Sequence, residues 1–282
     1  MSKMSEIPQI RLNDGLEIPA IGFGTYKLNG AEGVDTMVRA IDNGYYLLDS
    51  AFNYENEGAV GEAIRHTSKP RSDLRITSKL PGRRHFYKEA LNTVQESLYR
   101  AQLEYYDLYL IHWPNPIQGH YVEAWQALIE AKKRGMIRSI GVSNFLPEHL
   151  DRLIEETGVV PSINQIELHP HFPQNEQRAY NQKLGIVTES WSPLGRDNGL
   201  IHHVLLQEIA SHYNKTIPQL ILRWHIQLGA IPLPKATSDE RQIENCSIFD
   251  FEIVEKDMKE IATLARHNGR RKNQDPAVYE EF

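Results

Sequence analysis

Short apolar segments of β-forming residues recur along the chain, separated by stretches with helical periodicity. Eight of them can be distinguished, at residues 20–23, 45–48, 74–77, 108–111, 137–142, 163–166, 186–189 and 230–233. In the first intervening stretch, Val34, Met37, Val38 and Ile41 follow the i, i+3, i+4 spacing of one helix face. Strands that alternate with helices in this way predict parallel βαβ units and an α/β fold.

Two architectures suit such a pattern, an open doubly wound sheet and a closed (β/α)8 TIM barrel. Eight evenly spaced units without a break in composition favour the barrel. Residues 9–12 and 16–18 flank an Asn-Asp-Gly turn signal at 13–15, which predicts a short N-terminal β-hairpin. Extra C-terminal helices are expected at 200–212 and 217–227 and after residue 253, followed by a polar tail at 268–282. No linker interrupts the chain, so the prediction is a single (β/α)8 barrel domain spanning residues 1–282.

Composition and charge exclude several classes of protein. With 40% hydrophobic and 24% charged residues, the chain is not typical of disordered or fibrous proteins. The net charge of −6 provides no basic surface for nucleic acid or acidic membranes. No apolar run approaches the length of a membrane span, and the first residues lack the apolar core of a signal peptide. Cys246 is the only cysteine, which leaves the cytoplasm as the expected compartment. No heptad seam argues against the expected monomer.

Polar residues occur where the predicted strands end. Asp49 closes the second strand, Lys79 the third and His112 the fourth. Others close the next three strands, namely Ser143, Asn144, Gln165, Glu167, Trp191 and Ser192. In a barrel of this kind, the carboxyl ends of all strands meet at one mouth, where active sites form. These side chains are therefore expected to converge.

Each of the four central residues has an ordinary structural explanation when taken alone. Asp49 can cap a turn, Lys79 can face solvent, and His112 can be a satisfied structural histidine. Tyr54, five residues after Asp49, can be a tyrosine that only packs against the protein surface. Together they form a proton-donating set. A cation beside a phenol favours the ionised form of the phenol. At a separation of about 4 Å and an effective dielectric near 20, the upper value of this stabilisation is about 4 kcal/mol.

In this set, Asp49 is expected to keep Lys79 protonated, and His112 to hydrogen-bond a carbonyl oxygen. Such a group suits the reversible protonation of a developing alkoxide. Rival chemistries fit less well. The 12 histidines include His169, His171 and His202-His203, but no His-Glu-x-x-His motif or cysteine pair accompanies them, so no metal is predicted.

A glycoside hydrolase would need two carboxylates at the strand ends, and Asp49 and Glu167 are candidates. Lys79 near Asp49 would depress the pKa of the acid that this mechanism needs. A nucleophilic serine lacks the Gly-x-Ser-x-Gly context.

The sequence resembles the aldo-keto reductases from about residue 10 to residue 245. The matching segments are IGFGT at 21–25, LDSAFNYENE at 48–57, ITSKL at 76–80, LIHWP at 110–114, IGVSNF at 140–145, NQIELHP at 164–170, WSPLG at 191–195 and IPLPK at 231–235. The resemblance implies a (β/α)8 barrel that reduces aldehydes or ketones with NADPH. It also implies that Tyr54 is the general acid, modulated by Lys79 and Asp49, and that His112 positions the carbonyl.

The same resemblance assigns the cofactor site. Ser143, Asn144 and Gln165 are expected to bind the nicotinamide carboxamide, and Trp191 to stack on its ring. The remaining cofactor residues that it implies are Gly24, Thr25, Ser192, Leu194, Lys235, Ser238, Arg241, Glu244 and Asn245, of which Lys235 and Arg241 suit a 2′-phosphate. Two positions depart from the family pattern. Trp191 replaces the usual tyrosine but keeps a large ring face, and Ala236 replaces a serine that can reach the phosphate.

The substrate walls are expected from Tyr26 and Trp113, beside Tyr54 and His112, and from the tail at 275–282. The short loops resemble those of bacterial members that reduce methylglyoxal, other dicarbonyls or keto-sugars. An NADPH-binding regulatory barrel without turnover is the alternative. The intact set of four residues argues against it, because a sensor does not need a proton donor.

Overall fold

The computed structural model describes residues 7–196, 198–267 and 269–282. The start of the chain, on which the signal-peptide expectation rests, lies outside these residues, as does Asn268 at the start of the predicted tail. The expected hairpin is present, because β1 (Gln9–Arg11) pairs antiparallel with β2 (Glu17–Pro19). Its apolar residues pack under the barrel, where Ile18 is fully buried in a cluster with Leu47. The hairpin therefore closes the end of the barrel opposite the mouth.

Eight parallel strands form the barrel and follow one another in chain order around it. They are β3 (Phe23–Gly24), β4 (Leu47–Asp49), β5 (Arg75–Leu80), β6 (Tyr106–Ile111), β7 (Ile137–Ser143), β8 (Ile163–Glu167), β9 (Val187–Trp191) and β10 (Ala230–Pro232). The first and last strands are joined by backbone hydrogen bonds from Gly22 to Pro232 (3.1 Å) and from Gly24 to Pro234 (3.0 Å). These bonds close the sheet and confirm the predicted (β/α)8 barrel.

Helices cover the outside of the barrel and follow the strands in order. They are α1 (Gly30–Asp42), α2 (Glu57–His66), α3 (Tyr87–Ala101), α4 (Tyr121–Lys133), α5 (Pro147–Thr157), α6 (Asn175–Lys183), α7 (Val204–His212), α8 (Ile217–Gln227), α9 (Asp239–Cys246) and α10 (Glu255–Ala262). Val34, Met37 and Ile41 of α1 are buried against the sheet, as their spacing predicted. Within the described part of the chain, no helix is long and apolar enough to cross a membrane.

Most predicted strands shift by one to three residues at their ends, as the first does from 20–23 to Phe23–Gly24, and two differences have a clear physical reason. The strand predicted at 74–77 continues to Leu80, because its ladder with β6 extends through the pair Lys79–Leu110. In the sequence, Lys79 looks like the end of the strand because it is a polar residue after an apolar run. In the structure, it lies inside the strand. The helix predicted at 200–212 is divided into a short 3-10 turn, Leu200–His202, and α7. The division occurs because His203 has an extended backbone.

Candidate active site

A cavity of about 630 Å3 opens at the carboxyl ends of the strands. It is lined by residues from almost every strand end, including Asp49, Tyr54, His112, Gln165 and Trp191. Residues separated by more than a hundred positions in the sequence therefore share one site. The predicted convergence at the mouth is present for most of the strand-end residues, but the described lining residues do not include Lys79 or Glu167.

Lys79 and Asp49 form a buried ion pair at the bottom of this cavity. The Lys79 Nζ lies 2.7 Å from each carboxylate oxygen of Asp49 and donates to the Ser50 carbonyl oxygen, also at 2.7 Å. The two residues are 1% and 5% exposed. Burial by itself would lower the pKa of Lys79, but Asp49 and Tyr54 outweigh it and the pKa is raised. Lys79 is therefore a permanent cation, as expected.

Tyr54 lies above this pair, in the 3-10 turn Phe52–Tyr54 that follows β4. The Lys79 Nζ is 5.1 Å from the centre of its ring. Burial raises the pKa of Tyr54, and the lowering by Lys79 only partly offsets it. The net shift is opposite to the one that the sequence led us to expect, because the phenol loses its solvent as well as gaining a cation. Tyr54 consequently remains protonated throughout the neutral pH range.

His112 follows β6 and completes the predicted set. Its backbone N–H donates to the Leu80 carbonyl oxygen (3.0 Å), and its ring packs edge-on against Tyr54 with the ring centres 5.9 Å apart. The Nδ1 of His112 lies 2.7 Å from the Oε1 of Glu281. Sequence reasoning included the tail as a wall of the pocket but missed this carboxylate, because nothing in the local sequence indicates that it turns inward.

Glu189 is a second acidic residue that sequence reasoning did not identify. It lies on β9 beneath the cavity and is 1% exposed. The Gln165 side-chain amide donates to both Asp49 Oδ1 and Glu189 Oε2, at 2.9 Å each. Burial, together with the Asp49 charge, raises the pKa of Glu189 to about 8. Glu189 is therefore mostly uncharged at neutral pH, and Asp49 and Lys79 balance each other.

This raised pKa predicts a dependence of stability on pH. The folded protein holds a proton on Glu189 that the unfolded chain releases above a pH of about 4.3. Between that pH and about 8, the free energy of unfolding should fall as pH rises, by up to about 1.4 kcal/mol per unit from this group. Glu189→Gln should remove the contribution and be more stable than the wild type at pH 8 but not at pH 5.

Urea unfolding at the two pH values measures this difference. Glu255→Gln provides a matched control, because the Glu255 side chain is 83% exposed. A Glu189→Gln variant whose advantage is the same at both pH values would contradict the assignment.

The predicted cofactor residues divide into two groups. Most of them line the cavity, namely Gly24, Ser143, Asn144, Gln165, Trp191, Ser192, Leu194, Lys235 and Arg241. The described lining residues do not include the other four, namely Thr25, Ser238, Glu244 and Asn245. The Thr25 hydroxyl donates to the Asp49 carbonyl oxygen at 2.9 Å, and the Glu244 carboxylate accepts from Thr216. A cofactor role for these four residues stays a prediction.

The end of the cavity assigned to the 2′-phosphate is rich in positive charge. Burial lowers the pKa of Lys235, and repulsion by Arg196 and Lys27 lowers it further. Arg241 lines the same cavity. Cations that repel one another in this way would be stabilised by a bound anion. This end of the site therefore fits a phosphate group.

The predicted substrate residues Tyr26, Tyr54, His112 and Trp113 all line the cavity. The rings of Tyr26 and Tyr54 pack edge-on with their centres 5.0 Å apart. Trp113 packs against Tyr279 of the tail at 4.5 Å, a contact that sequence reasoning did not specify. Within the described residues, no group of three or more histidine, cysteine, aspartate or glutamate side chains is arranged to hold a metal ion.

Residues 20–266 match the model of the aldo/keto reductase family. The chain belongs to this family. It is 49% identical over 279 residues to 2,5-diketo-D-gluconic acid reductase B of a Corynebacterium species, covering 99% of this chain and all of that one. It is 42% identical over 268 residues to the methylglyoxal reductase DkgA of Salmonella typhimurium, covering 95% of this chain and 96% of that one.

A solved relative also holds a cofactor. A variant of Gox0644 in complex with NADPH is similar to this chain with a TM-score of 0.93 and 38% identity, over 98% of this chain and all of that one. Family membership makes this protein an oxidoreductase that acts on aldehydes or ketones, as the sequence predicted. Family membership also independently supports a barrel fold with the active site at the carboxyl ends of its strands.

Proposed function

We propose that this aldo-keto reductase uses NADPH to reduce small aldehydes, dicarbonyls such as methylglyoxal, or keto-sugars to alcohols. The observation that carries the proposal is the buried ion pair of Lys79 and Asp49 beneath a protonated Tyr54, at the closed end of a cavity. A regulatory barrel would gain nothing from a desolvated ion pair at this place, because burying two charges is costly.

We propose a role for each of these residues. Tyr54 donates its proton to the carbonyl oxygen as negative charge develops there. Lys79 stabilises the phenolate that Tyr54 becomes, and Asp49 keeps Lys79 charged. His112 orients the carbonyl oxygen through a ring nitrogen. These four side chains are the proposed catalytic residues.

The remaining length of the cavity is proposed to hold NADPH, which supplies the hydride when bound. The Gln165 amide nitrogen is already used by Asp49 and Glu189, so its oxygen is the atom left for the nicotinamide carboxamide. Trp191 is oriented by a hydrogen bond from its indole to Asn144 Oδ1 (2.8 Å), which fixes the plane of its stacking face. Lys235 and Arg241 are proposed to bind the 2′-phosphate.

The aromatic walls support a substrate class of small, partly apolar carbonyl compounds. The names of the relatives support methylglyoxal and diketogluconate as substrates to test first. We further propose that the protein acts as a monomer in the cytoplasm and that residues 1–282 form one domain.

The experiment that tests the function follows NADPH absorbance with methylglyoxal, 2,5-diketogluconate and an aromatic aldehyde. We expect turnover with at least one of them. Binding of NADPH without turnover on any carbonyl of the panel would favour the regulatory barrel instead.

Arg241→Ala should weaken NADPH binding about 10-fold to 100-fold and leave NADH binding unchanged. This follows because a hydrogen bond to a charged group contributes about 1.5–3 kcal/mol and only NADPH carries the 2′-phosphate. Fluorescence titration with both dinucleotides measures the effect. Lys256→Ala removes an 80% exposed cation elsewhere and serves as the control. An unchanged preference in Arg241→Ala would show that the phosphate is bound by other residues.

A further inference from the structure

The tail segment, residues 275–282, enters the active site, and Glu281 is fixed there by its backbone. The Glu281 N–H donates to Asn115 Oδ1 (3.0 Å), and its carbonyl oxygen accepts from Asn115 Nδ2 (2.9 Å). Asn115 is fully buried, and Glu281 is 7% exposed. A single asparagine side chain therefore satisfies both backbone groups, and these two hydrogen bonds remain available when the Glu281 carboxylate is replaced.

The Glu281 carboxylate contacts three separate loops of the mouth. Its Oε1 lies 2.7 Å from His112 Nδ1 and accepts from Asn53 Nδ2 (2.8 Å), and its Oε2 accepts from the Gly82 N–H (2.9 Å). Burial by itself would raise the pKa of Glu281, but His112, Gly82 and Asn53 together lower it below its ordinary value. Glu281 is therefore ionised at neutral pH.

Several other ionisable groups beside Glu281 carry no net charge, while the cations Arg271 and Lys272 also line the cavity. Asp49 and Lys79 neutralise each other, and Glu189 is mostly protonated at neutral pH. Burial lowers the pKa of His85 to about 4, so that this ring is uncharged. Among the described residues whose side chains or backbone contact the Glu281 carboxylate, none is lysine or arginine. Among the described residues, the ionisable side chain in contact with the Glu281 carboxylate is thus that of His112.

We propose that Glu281 is a positioning residue for His112 and makes the site select carbonyl compounds that have no carboxylate attached directly to the reacting carbonyl carbon. Contact at Nδ1 leaves Nε2, on the other edge of the ring, as the nitrogen available to the substrate. The Glu281 charge would repel such a carboxylate, and we expect this repulsion to weaken binding of the acid about 10-fold relative to the ester. This inference rests on the proposed function.

The test compares pyruvate with methyl pyruvate, which share the same ketone and differ in the charge of the neighbouring group. The wild type should prefer the ester strongly, and Glu281→Gln should reduce the ester-to-acid ratio of kcat/KM about 10-fold. The inhibition constant of pyruvate against methylglyoxal reports the same charge effect without requiring turnover. Glu280→Gln is the matched control, because it removes a charge one residue away on a side chain that accepts from the Ile117 N–H outside the cavity.

A positioning role adds a second expectation. Glu281→Ala should lower kcat for methylglyoxal about 10-fold and leave the NADPH dissociation constant within twofold. A purely structural role would change thermal stability or cofactor binding without changing the ester-to-acid ratio. The inference is overturned if the wild type reduces methylglyoxal but the ratio in Glu281→Gln stays within twofold, or if Glu280→Gln changes the ratio equally. Absence of any carbonyl reduction by the wild type would overturn the proposed function itself.

Discussion

Replacing Tyr54 by phenylalanine is expected to lower kcat about 100-fold to 10,000-fold, the range in which a positioned general acid contributes. The phenyl ring keeps the edge-on contacts with Tyr26 and His112, so the shape of the pocket is preserved. Only the proton is lost. NADPH affinity and thermal stability should remain close to those of the wild type, because the ring is retained and the cofactor residues lie elsewhere in the cavity.

Steady-state kinetics with the best carbonyl of the panel, together with an NADPH titration, measure this outcome. Tyr99→Phe removes a hydroxyl from a side chain that is 66% exposed on α3 and provides the matched control. If Tyr54→Phe kept more than a tenth of the wild-type kcat, the proton would have to come from another group, with His112 the nearest candidate.

Replacing Lys79 by methionine is expected to reduce both activity and stability. The cation lies 5.1 Å from the Tyr54 ring centre, and a charge at that distance stabilises a phenolate by about 3 kcal/mol at an effective dielectric near 20, or about 100-fold in rate. The variant also leaves the Asp49 carboxylate buried without a counter-charge, which costs about 3–5 kcal/mol in the free energy of unfolding.

The two effects can be separated with a second substitution. The double variant Asp49→Asn, Lys79→Met removes both charges, so it should regain most of the lost stability while its kcat stays low. Urea unfolding and kinetics on the single and double variants measure this. Lys132→Met breaks the partly exposed ion pair with Asp14 and is the control, with an expected cost below about 1 kcal/mol. A double variant that regained activity would show that Lys79 does not act on Tyr54.

Much of the active site could be predicted because neighbouring parallel strands place their ends side by side. Asp49 ends β4, and Lys79 lies on β5, which pairs with β4. The ion pair between them follows from strand order once a barrel is assumed. The periodicity of α1 likewise predicted which of its residues are buried. Such features depend on local spacing and on the direction of the strands, and both can be read from the sequence.

Glu189 and Glu281 could not be predicted in this way. Glu189 lies in a predicted strand, where nothing in the local sequence distinguishes it from another polar residue. Only closure of the sheet brings its side chain close to Asp49 and removes it from solvent. Glu281 reaches Asn115 across 166 positions and Gly82 across 199. Contacts between such distant residues leave no periodic signal.

The sequence by itself determined the strand and helix order, the single mouth and the four residues that carry the proposed chemistry, because these depend on periodicity and on the common direction of parallel strands. The tertiary structure decided the protonation states. It showed that Tyr54 is an acid with a raised pKa, that Glu189 is mostly uncharged at neutral pH and that a tail carboxylate contacts His112. The physical reason is that a pKa depends on how much solvent is lost and on which charges lie within a few ångströms. Both quantities exist only after distant parts of the chain have packed together.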